Sequence, residues 1–162
     1  MSAIDYVIKG GLLPDGTKAD VCISGEEIVE ITANFSGQSK EVVDAAGCIV
    51  LPGLVDLHTH LREPGREDAE TVLSGSRAGA KGGFTALSAM ANTSPVADTA
   101  GVVEQVYRLG QEAGLLDVFP IGAVTEGLKG QTLSEIGAMA DSVAHVRVFS
   151  DDGHCVFDPL VM

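Results

Sequence analysis

From residue 51 onward, the sequence alternates between short apolar segments and longer segments with helical periodicity. The apolar segments predict four strands, at residues 51–57, 84–90, 116–124 and 145–149. The periodic segments predict helices at about residues 69–80, 99–113 and 133–140. Because strands and helices alternate through short connections, the sheet should be parallel and wound right-handed. The pattern therefore favours an α/β fold for residues 51–162.

Residues 1–50 have a different pattern, in which short apolar segments are separated by turn signals such as Pro14-Asp15-Gly16. The predicted strands cover residues 6–13, 19–24, 27–31, 42–44 and 48–50. Their alternation indicates one buried face and one solvated face. The sequence thus predicts two parts, a small β unit in residues 1–50 and an α/β domain in residues 51–162.

The chain is strongly acidic, with a net charge of −13 over 162 residues. This charge argues against nucleic acid or an anionic membrane as a partner. No apolar run is long enough for a transmembrane helix, and the first residues lack the pattern of a signal peptide. The three cysteines are odd in number and far apart, which favours reduced thiols. We therefore expect a cytoplasmic protein.

Side chains suited to binding or catalysis follow three of the predicted strands. The first strand ends in His58-Thr-His60. Residues two apart on a strand point to the same side, so both imidazoles can reach one metal ion. Asn92 follows the second strand, and Asp151-Asp152 follows the fourth, at the edge where α/β folds bind ligands. The simpler alternatives are packed or solvent-facing histidines and, for the other residues, turns.

Three motifs, taken in order, resemble one enzyme family. They are His58-Thr-His-Leu-Arg-Glu-Pro-Gly65, Met90-Ala-Asn-Thr-Ser-Pro95 and Phe149-Ser-Asp-Asp-Gly153. The chain resembles dihydroorotases of the multifunctional (type I) class, within the amidohydrolase superfamily. The resemblance implies that residues 51–162 are the first half of a (β/α)8 barrel and that residues 1–50 are the N-terminal strands of a small β-sandwich. It also implies zinc-dependent interconversion of N-carbamoyl-L-aspartate and dihydroorotate in pyrimidine biosynthesis.

The resemblance also implies metal ligands. His58 and His60 match the pair that holds the first metal ion. Asp151 matches the carboxylate that bridges two metal ions. Asp152 is the alternative, because the two aspartates are adjacent and the sequence leaves the register open. The implied cofactor is one or two zinc ions.

The substrate-binding residues that the resemblance implies are Arg62 and Asn92, which match the residues that hold the α-carboxylate of the substrate. A guanidinium offers a planar pair of donors to a carboxylate, and an amide adds a neutral donor. The implied partners are the small-molecule substrate and, beyond it, further copies of the chain or aspartate transcarbamoylase.

Two departures from the family pattern are visible. Ala91 stands where the family commonly has proline, which should loosen the loop that carries Asn92. The remaining metal-binding histidines and the general acid/base aspartate of the family come from later strands, beyond residue 162. Asp158-Pro159 also predicts the start of a helix. We therefore expect the N-terminal portion of a longer protein, without dihydroorotase activity when isolated.

Two alternative functions remain open. Hydantoinases and allantoinases are sister cyclic amidohydrolases, but they typically have a lysine where this chain has Asp151. A dihydroorotase-like chain can also be a non-catalytic structural subunit, although such subunits usually lose metal ligands. Because His58, His60 and Asp151 are present, the sequence favours a catalytic parent.

Overall fold

The computed structural model describes residues 3–162 and has two compact units, one that ends at Pro52 and one that spans Gly53–Met162. The first unit is built of strands, whereas the second combines a sheet with helices. The chain is therefore of the α/β class, as its sequence predicts. Within residues 3–162, no helix has the length and apolar character needed to cross a membrane.

Four strands form the sheet of the first unit. They are β1 (Ile4–Leu12), β2 (Lys18–Ser24), β3 (Glu27–Thr32) and β4 (Ser39–Asp44). The order is β3-β2-β1-β4, with β4 parallel to β1 and the other pairs antiparallel. The strand predicted at residues 48–50 is wrong, because Ile49 makes only one isolated bridge, to Leu12.

A buried carboxylate fixes the loops of this first unit. Asp20 is only 2% exposed and accepts hydrogen bonds from the backbone N–H groups of Phe35 (2.8 Å) and Gly10 (2.7 Å). These bonds favour the ionised form and lower the pKa of Asp20 below its ordinary value. The side chain therefore holds two separate backbone segments against β2.

The second unit contains a parallel sheet and three helices. Its strands are β5 (Leu54–Thr59), β6 (Phe84–Ala89) and β7 (Asp117–Pro120), in the order β5-β6-β7. Its helices are α1 (Val72–Lys81), α2 (Ala100–Ala113) and α3 (Ile136–Asp141), with a short 3-10 turn at Glu126–Leu128. One apolar cluster comprises Leu61, Val72, Leu87, Ala89, Val106 and Val118. Because this cluster joins residues of α1 and α2 to β6 and β7, it secures the helices to the sheet.

Strand β5 begins later than predicted. The sequence predicts residues 51–57, but the strand spans Leu54–Thr59. Pro52 has no N–H to donate to a ladder, and the first inter-strand bond runs from the N–H of Leu54 to the carbonyl of Gly83 (3.0 Å). The shift places His58 inside the strand and His60 directly after it.

Helix α1 also begins later than predicted, at Val72 rather than near residue 69. The reason is a capping box at Thr71. Its hydroxyl accepts a hydrogen bond from the N–H of Ser74 (3.0 Å), and the Ser74 hydroxyl accepts one from the N–H of Thr71 (3.0 Å). The helix therefore starts directly after Thr71, and Ser74 lies in its first turn.

The strand predicted at residues 145–149 is wrong, since this segment makes only one bridge, between Phe149 and Gly122. The N–H of Gly122 donates to the carbonyl of Val148 (3.1 Å). Every second N–H group of a strand points to the same neighbouring strand. The N–H group that would come before that of Gly122, toward residues 145–149, therefore belongs to residue 120. Pro120 has no N–H, and the next bond of the ladder on this side is therefore missing.

The helix predicted to start at Asp158-Pro159 is a turn in the structure. The N–H of Leu160 donates to the Asp158 carboxylate (2.9 Å), and the N–H of Val161 donates to the Asp158 carbonyl (3.0 Å). Asp158 thus makes the side-chain contact expected of a capping residue, but no helix follows within the described residues.

Candidate metal centre

The two histidines lie at the carboxyl end of β5. Their ring centroids are 5.2 Å apart, and the ring planes are inclined by 66°. The N–H of His58 donates to the carboxylate of Asp56 (3.0 Å). The hydroxyl of Thr59, between the histidines, donates to the carbonyl of Ser88 (2.9 Å) and ties the end of β5 to β6. His58 and His60 therefore lie at a strand end that this hydrogen bond fixes to the neighbouring strand.

Asp152 completes a group of three potential ligands. Its Oδ2 lies 3.4 Å from Nε2 of His58 and 3.4 Å from Nε2 of His60. One ligand atom from each of the three residues lies within 4.8 Å of the other two. Two imidazole nitrogens and one carboxylate oxygen are a donor set that proteins use for zinc. The residues present therefore fit a zinc-type cation.

A hydrogen bond from the loop after β6 orients His60. Its Nδ1 lies 2.9 Å from Oδ1 of Asn92. Because the amide oxygen is an acceptor, this contact fits the tautomer with its proton on Nδ1, which would leave Nε2 available to a metal ion. A hydrogen bond of this kind typically fixes the ring orientation of a metal-binding histidine. Asn92 thus contacts the candidate ligand group directly.

Asp151 is not in the ligand group. It is 5% exposed, and its Oδ1 accepts hydrogen bonds from the N–H of Val124 (2.8 Å) and of Thr125 (3.1 Å). Its Oδ2 accepts a bond from the hydroxyl of Thr125. Because both oxygens are engaged there, the structure brings the predicted alternative, Asp152, to the histidines instead.

Arg62 lies in the loop that follows the histidines. Its backbone is left-handed, with φ of 59°, and its side chain is half-buried. No carboxylate of residues 3–162 forms an ion pair with its guanidinium. The side chain of Glu63 accepts a hydrogen bond from the N–H of Val72 (2.7 Å), which ties the next residue of this loop to the start of α1.

The loop that carries Arg62 is docked on the loop that carries Asn92. The N–H of Ser94 donates to the carbonyl of Pro64 (2.9 Å). At Gly65, where φ is 99°, a Cβ would lie 2.0 Å from the carbonyl oxygen of Ser94. Only glycine permits this approach, so the two predicted substrate-binding residues lie on loops in backbone contact.

Sequence reasoning missed Thr125, which is fully buried and links two loops of the site. Its hydroxyl donates to Asp151 and accepts a hydrogen bond from the N–H of Gly130 (2.9 Å). The one available signal was its position directly after the predicted strand at residues 116–124. A single threonine in such a position is too common to indicate a role.

The sequence of the chain is similar to those of known proteins. A family model described as Dihydro-orotase-like matches residues 47–158. The chain belongs to this family. This dihydroorotase-like chain is 62% identical to the dihydroorotase of Leifsonia xyli subsp. xyli, over 100% of the chain and 37% of the relative. It is 61% identical to the dihydroorotase of Streptomyces coelicolor, over 96% of the chain and 36% of the relative. The chain thus spans little more than a third of the length of these relatives.

Solved structures similar to the dihydroorotase-like chain include hydantoinases. An L-hydantoinase from Arthrobacter aurescens aligns with a TM-score of 0.67 and 26% identity, over 77% of this chain and 29% of the other. A D-hydantoinase from a Bacillus species aligns with a TM-score of 0.64 and 30% identity, over 75% of this chain and 28% of the other. The α/β arrangement of the dihydroorotase-like chain is therefore shared with cyclic amidohydrolases.

Proposed function

We propose that this chain supplies the first metal ligands and the carboxylate-binding residues of a dihydroorotase, which interconverts N-carbamoyl-L-aspartate and dihydroorotate in pyrimidine biosynthesis. Membership of the dihydroorotase-like family supports the reaction class. The observation that carries the proposal is the convergence of His58, His60 and Asp152, whose ligand atoms lie within 4.8 Å of one another. Three free cysteines are compatible with a cytoplasmic location for such an enzyme.

In this proposal, His58, His60 and Asp152 hold a zinc-type cation, and Asp152 takes the role that the sequence first suggested for Asp151. The chemistry that such a cation supplies is polarisation of an amide carbonyl and a lowered pKa of a coordinated water. The chain's own contribution is orientation. Asn92 fixes the tautomer of His60, and the strand end fixed by Thr59 holds both imidazoles.

Arg62 and Asn92 are proposed to bind the α-carboxylate of the substrate. Arg62 forms no ion pair with residues 3–162, so its charge is not neutralised by a described carboxylate. The amide oxygen of Asn92 is engaged with His60, and its NH₂ group therefore supplies the donor. The backbone contact between their loops keeps the two donors at a set separation.

For the fold, we propose that β5, β6 and β7 with their helices are the first strands of a (β/α)8 barrel. The first unit is proposed to be the N-terminal share of a small β-sandwich. The parallel order of the three strands supports the barrel assignment, as does the similarity to hydantoinase structures. That similarity also makes a hydantoinase-type activity the second candidate. Asp151 counts against it, because hydantoinases typically have a lysine at that position.

The decisive experiment uses the complete protein, purified with zinc. We expect bound zinc, ring opening of dihydroorotate, and weak or absent turnover of hydantoin and dihydrouracil. His58→Ala and Asp152→Asn should each lose zinc and activity. His154→Ala is the matched control, because this exposed histidine lies outside the ligand group and should leave both unchanged. Turnover of hydantoin in preference to dihydroorotate would favour the second candidate, and full zinc content in the His58 variant would exclude the proposed site.

A further inference from the structure

Asp151 is a buried carboxylate that the proposed reaction does not use. An ionised carboxylate is costly to bury unless hydrogen bonds compensate it. Asp151 receives three, from the N–H groups of Val124 and Thr125 and from the Thr125 hydroxyl. Hydrogen bonds to a charged acceptor are stronger than neutral ones, so this contact is a strong link between two loops.

The link is part of a closed network. The Thr125 hydroxyl also accepts the N–H of Gly130 (2.9 Å), and the N–H of Ser150 donates to the carbonyl of Gly122 (2.9 Å). The segment around Asp151 is thus joined to residues 122–130 by both backbone and side-chain bonds. These bonds fix the direction in which Asp151 points.

The direction of Asp151 also determines that of its neighbour. Asp152 is half-buried, and its carboxylate lies 3.4 Å from Nε2 of both His58 and His60. Within residues 3–162, the regular ladder that would hold this segment is reduced to the single bridge between Phe149 and Gly122. A segment with so little strand pairing needs another constraint to keep the Asp152 carboxylate in place.

We propose that Asp151 is a positioning residue, which with Thr125 holds the Asp152 carboxylate beside His58 and His60. Its importance for metal binding rests on the proposed function, whereas the positioning itself is a property of the metal-free protein. Loss of the network should therefore displace Asp152 with or without metal, and it should weaken metal binding without changing the set of ligands.

The test compares four variants of the complete protein. Asp151→Asn replaces an acceptor oxygen by an NH₂ donor. Thr125→Val removes only the hydroxyl, leaving both backbone bonds to Asp151, and is the milder variant if Asp151→Asn does not fold. Thr125→Ser restores the hydroxyl and is the conservative rescue. Asp152→Asn is the ligand-loss control.

Three measurements decide the outcome. Thermal melting of the metal-free variants reports folding, and a metal-free crystal structure gives the distances from Asp152 to the histidines. Titration with Co²⁺, followed by its visible absorption, reports affinity and ligand set separately. For Asp151→Asn and Thr125→Val we expect displaced Asp152 carboxylates and about 10–100-fold weaker Co²⁺ binding, the range seen when partners of metal ligands are removed. The Co²⁺ absorption bands of these two variants at saturation should match those of the wild type. Thr125→Ser should match the wild type in all three measurements. Asp152→Asn should change the bands.

The inference is overturned if Asp151→Asn and Thr125→Val keep the 3.4 Å contacts of Asp152 and bind Co²⁺ with wild-type affinity. It is also overturned if Asp151→Asn changes the bands at saturation and Asp152→Asn does not, because Asp151 would then be the ligand itself. Failure of the proposed function has a different signature. The wild type would then bind no Co²⁺ through His58 and His60, while the metal-free crystal structures would still decide whether Asp151 positions Asp152.

Discussion

The two ring nitrogens of His60 have different tasks. Nδ1 lies 2.9 Å from the amide oxygen of Asn92, and Nε2 lies 3.4 Å from the carboxylate of Asp152. A single amide side chain therefore contacts the candidate metal ligand through its oxygen, and its NH₂ group is the one proposed to bind a substrate carboxylate. The roles of oxygen and nitrogen at Asn92 can be separated by mutation.

Asn92→Ala removes both the acceptor for His60 and the amide donor. We expect about 10–100-fold weaker zinc binding, because the imidazole loses its orienting partner, together with a higher KM for dihydroorotate. Zinc affinity can be measured by competition with a chelator, and KM by steady-state kinetics of the complete protein.

The matched variant is Asn92→Asp, which keeps an acceptor for His60 but replaces the amide donor by a negative charge. Zinc affinity should stay close to that of the wild type, whereas KM should rise further through repulsion of the substrate carboxylate. Wild-type zinc affinity in Asn92→Ala would show that the contact with His60 has no orienting effect.

At the scale of elements, the loop after β5 and the loop after β6 form one assembly. The contact at Gly65 and the bond from Ser94 to Pro64 bring their backbones together. Glu63 ties the first loop to α1 through the N–H of Val72. The position of Arg62 relative to Asn92 is thus set mainly by backbone packing.

Gly65→Ala should disturb this assembly. The new Cβ would lie 2.0 Å from the Ser94 carbonyl oxygen, so the loops must separate. The positive φ adds a cost of about 1–2 kcal/mol in the free energy of unfolding. We expect KM for dihydroorotate to rise while zinc content stays unchanged, as measured by kinetics and metal analysis.

Gly83→Ala is the control for backbone strain alone. Gly83 has a similar φ of 86°, but no atom lies within 4 Å of the Cβ position. It should lose only the stability that the positive φ costs, measured by urea unfolding, with an unchanged KM. If the two variants have the same KM, loop docking at Gly65 does not position the substrate-binding residues.

The sequence predicts the helices better than the strands. Helical periodicity is a local signal, and α2 spans Ala100–Ala113 within the predicted range, although α1 begins later than predicted, after the cap at Thr71. The segment at residues 145–149 has the composition of a strand, but its pairing depends on Pro120 in another segment. The choice between Asp151 and Asp152 has the same origin, because it depends on hydrogen bonds to Val124 and Thr125 that no local pattern indicates.

At the scale of the whole molecule, the two units are stabilised by different means. The second unit packs helices on a parallel sheet through an apolar cluster. The first unit depends in addition on Asp20, a buried carboxylate between two backbone donors. Because protonation weakens that contact, the two units should respond differently to acid.

We expect acid to loosen the first unit around Asp20. Since the folded pKa of Asp20 is lowered from the ordinary 3.8, its ionised form stabilises the fold above that pH. This stabilisation is lost as the pH falls through the lower, folded value. Amide hydrogen exchange at Phe35 and Gly10, corrected for intrinsic rates, should therefore show falling protection on acidification.

Asp20→Asn should show low protection of Phe35 and Gly10 at all pH values, with little further change in acid. Asp15→Asn is the control, because the exposed Asp15 bonds locally, to the nearby Thr17, whose N–H donates to it (2.8 Å), and its pKa is also lowered. It should leave protection at Phe35 and Gly10 unaffected. Unchanged protection of wild-type Phe35 across the acid range would contradict the assignment to Asp20.

The contact between His60 and Asn92 has a thermodynamic consequence for the proposed enzyme. If metal binding fixes the His60 ring, it also fixes the amide that would receive the substrate, and the two binding equilibria become coupled. Such coupling is reciprocal, so the factor by which zinc raises affinity for a carboxylate ligand equals the factor by which that ligand raises affinity for zinc. Cellular dihydroorotate would thereby help the protein retain its metal when zinc is scarce.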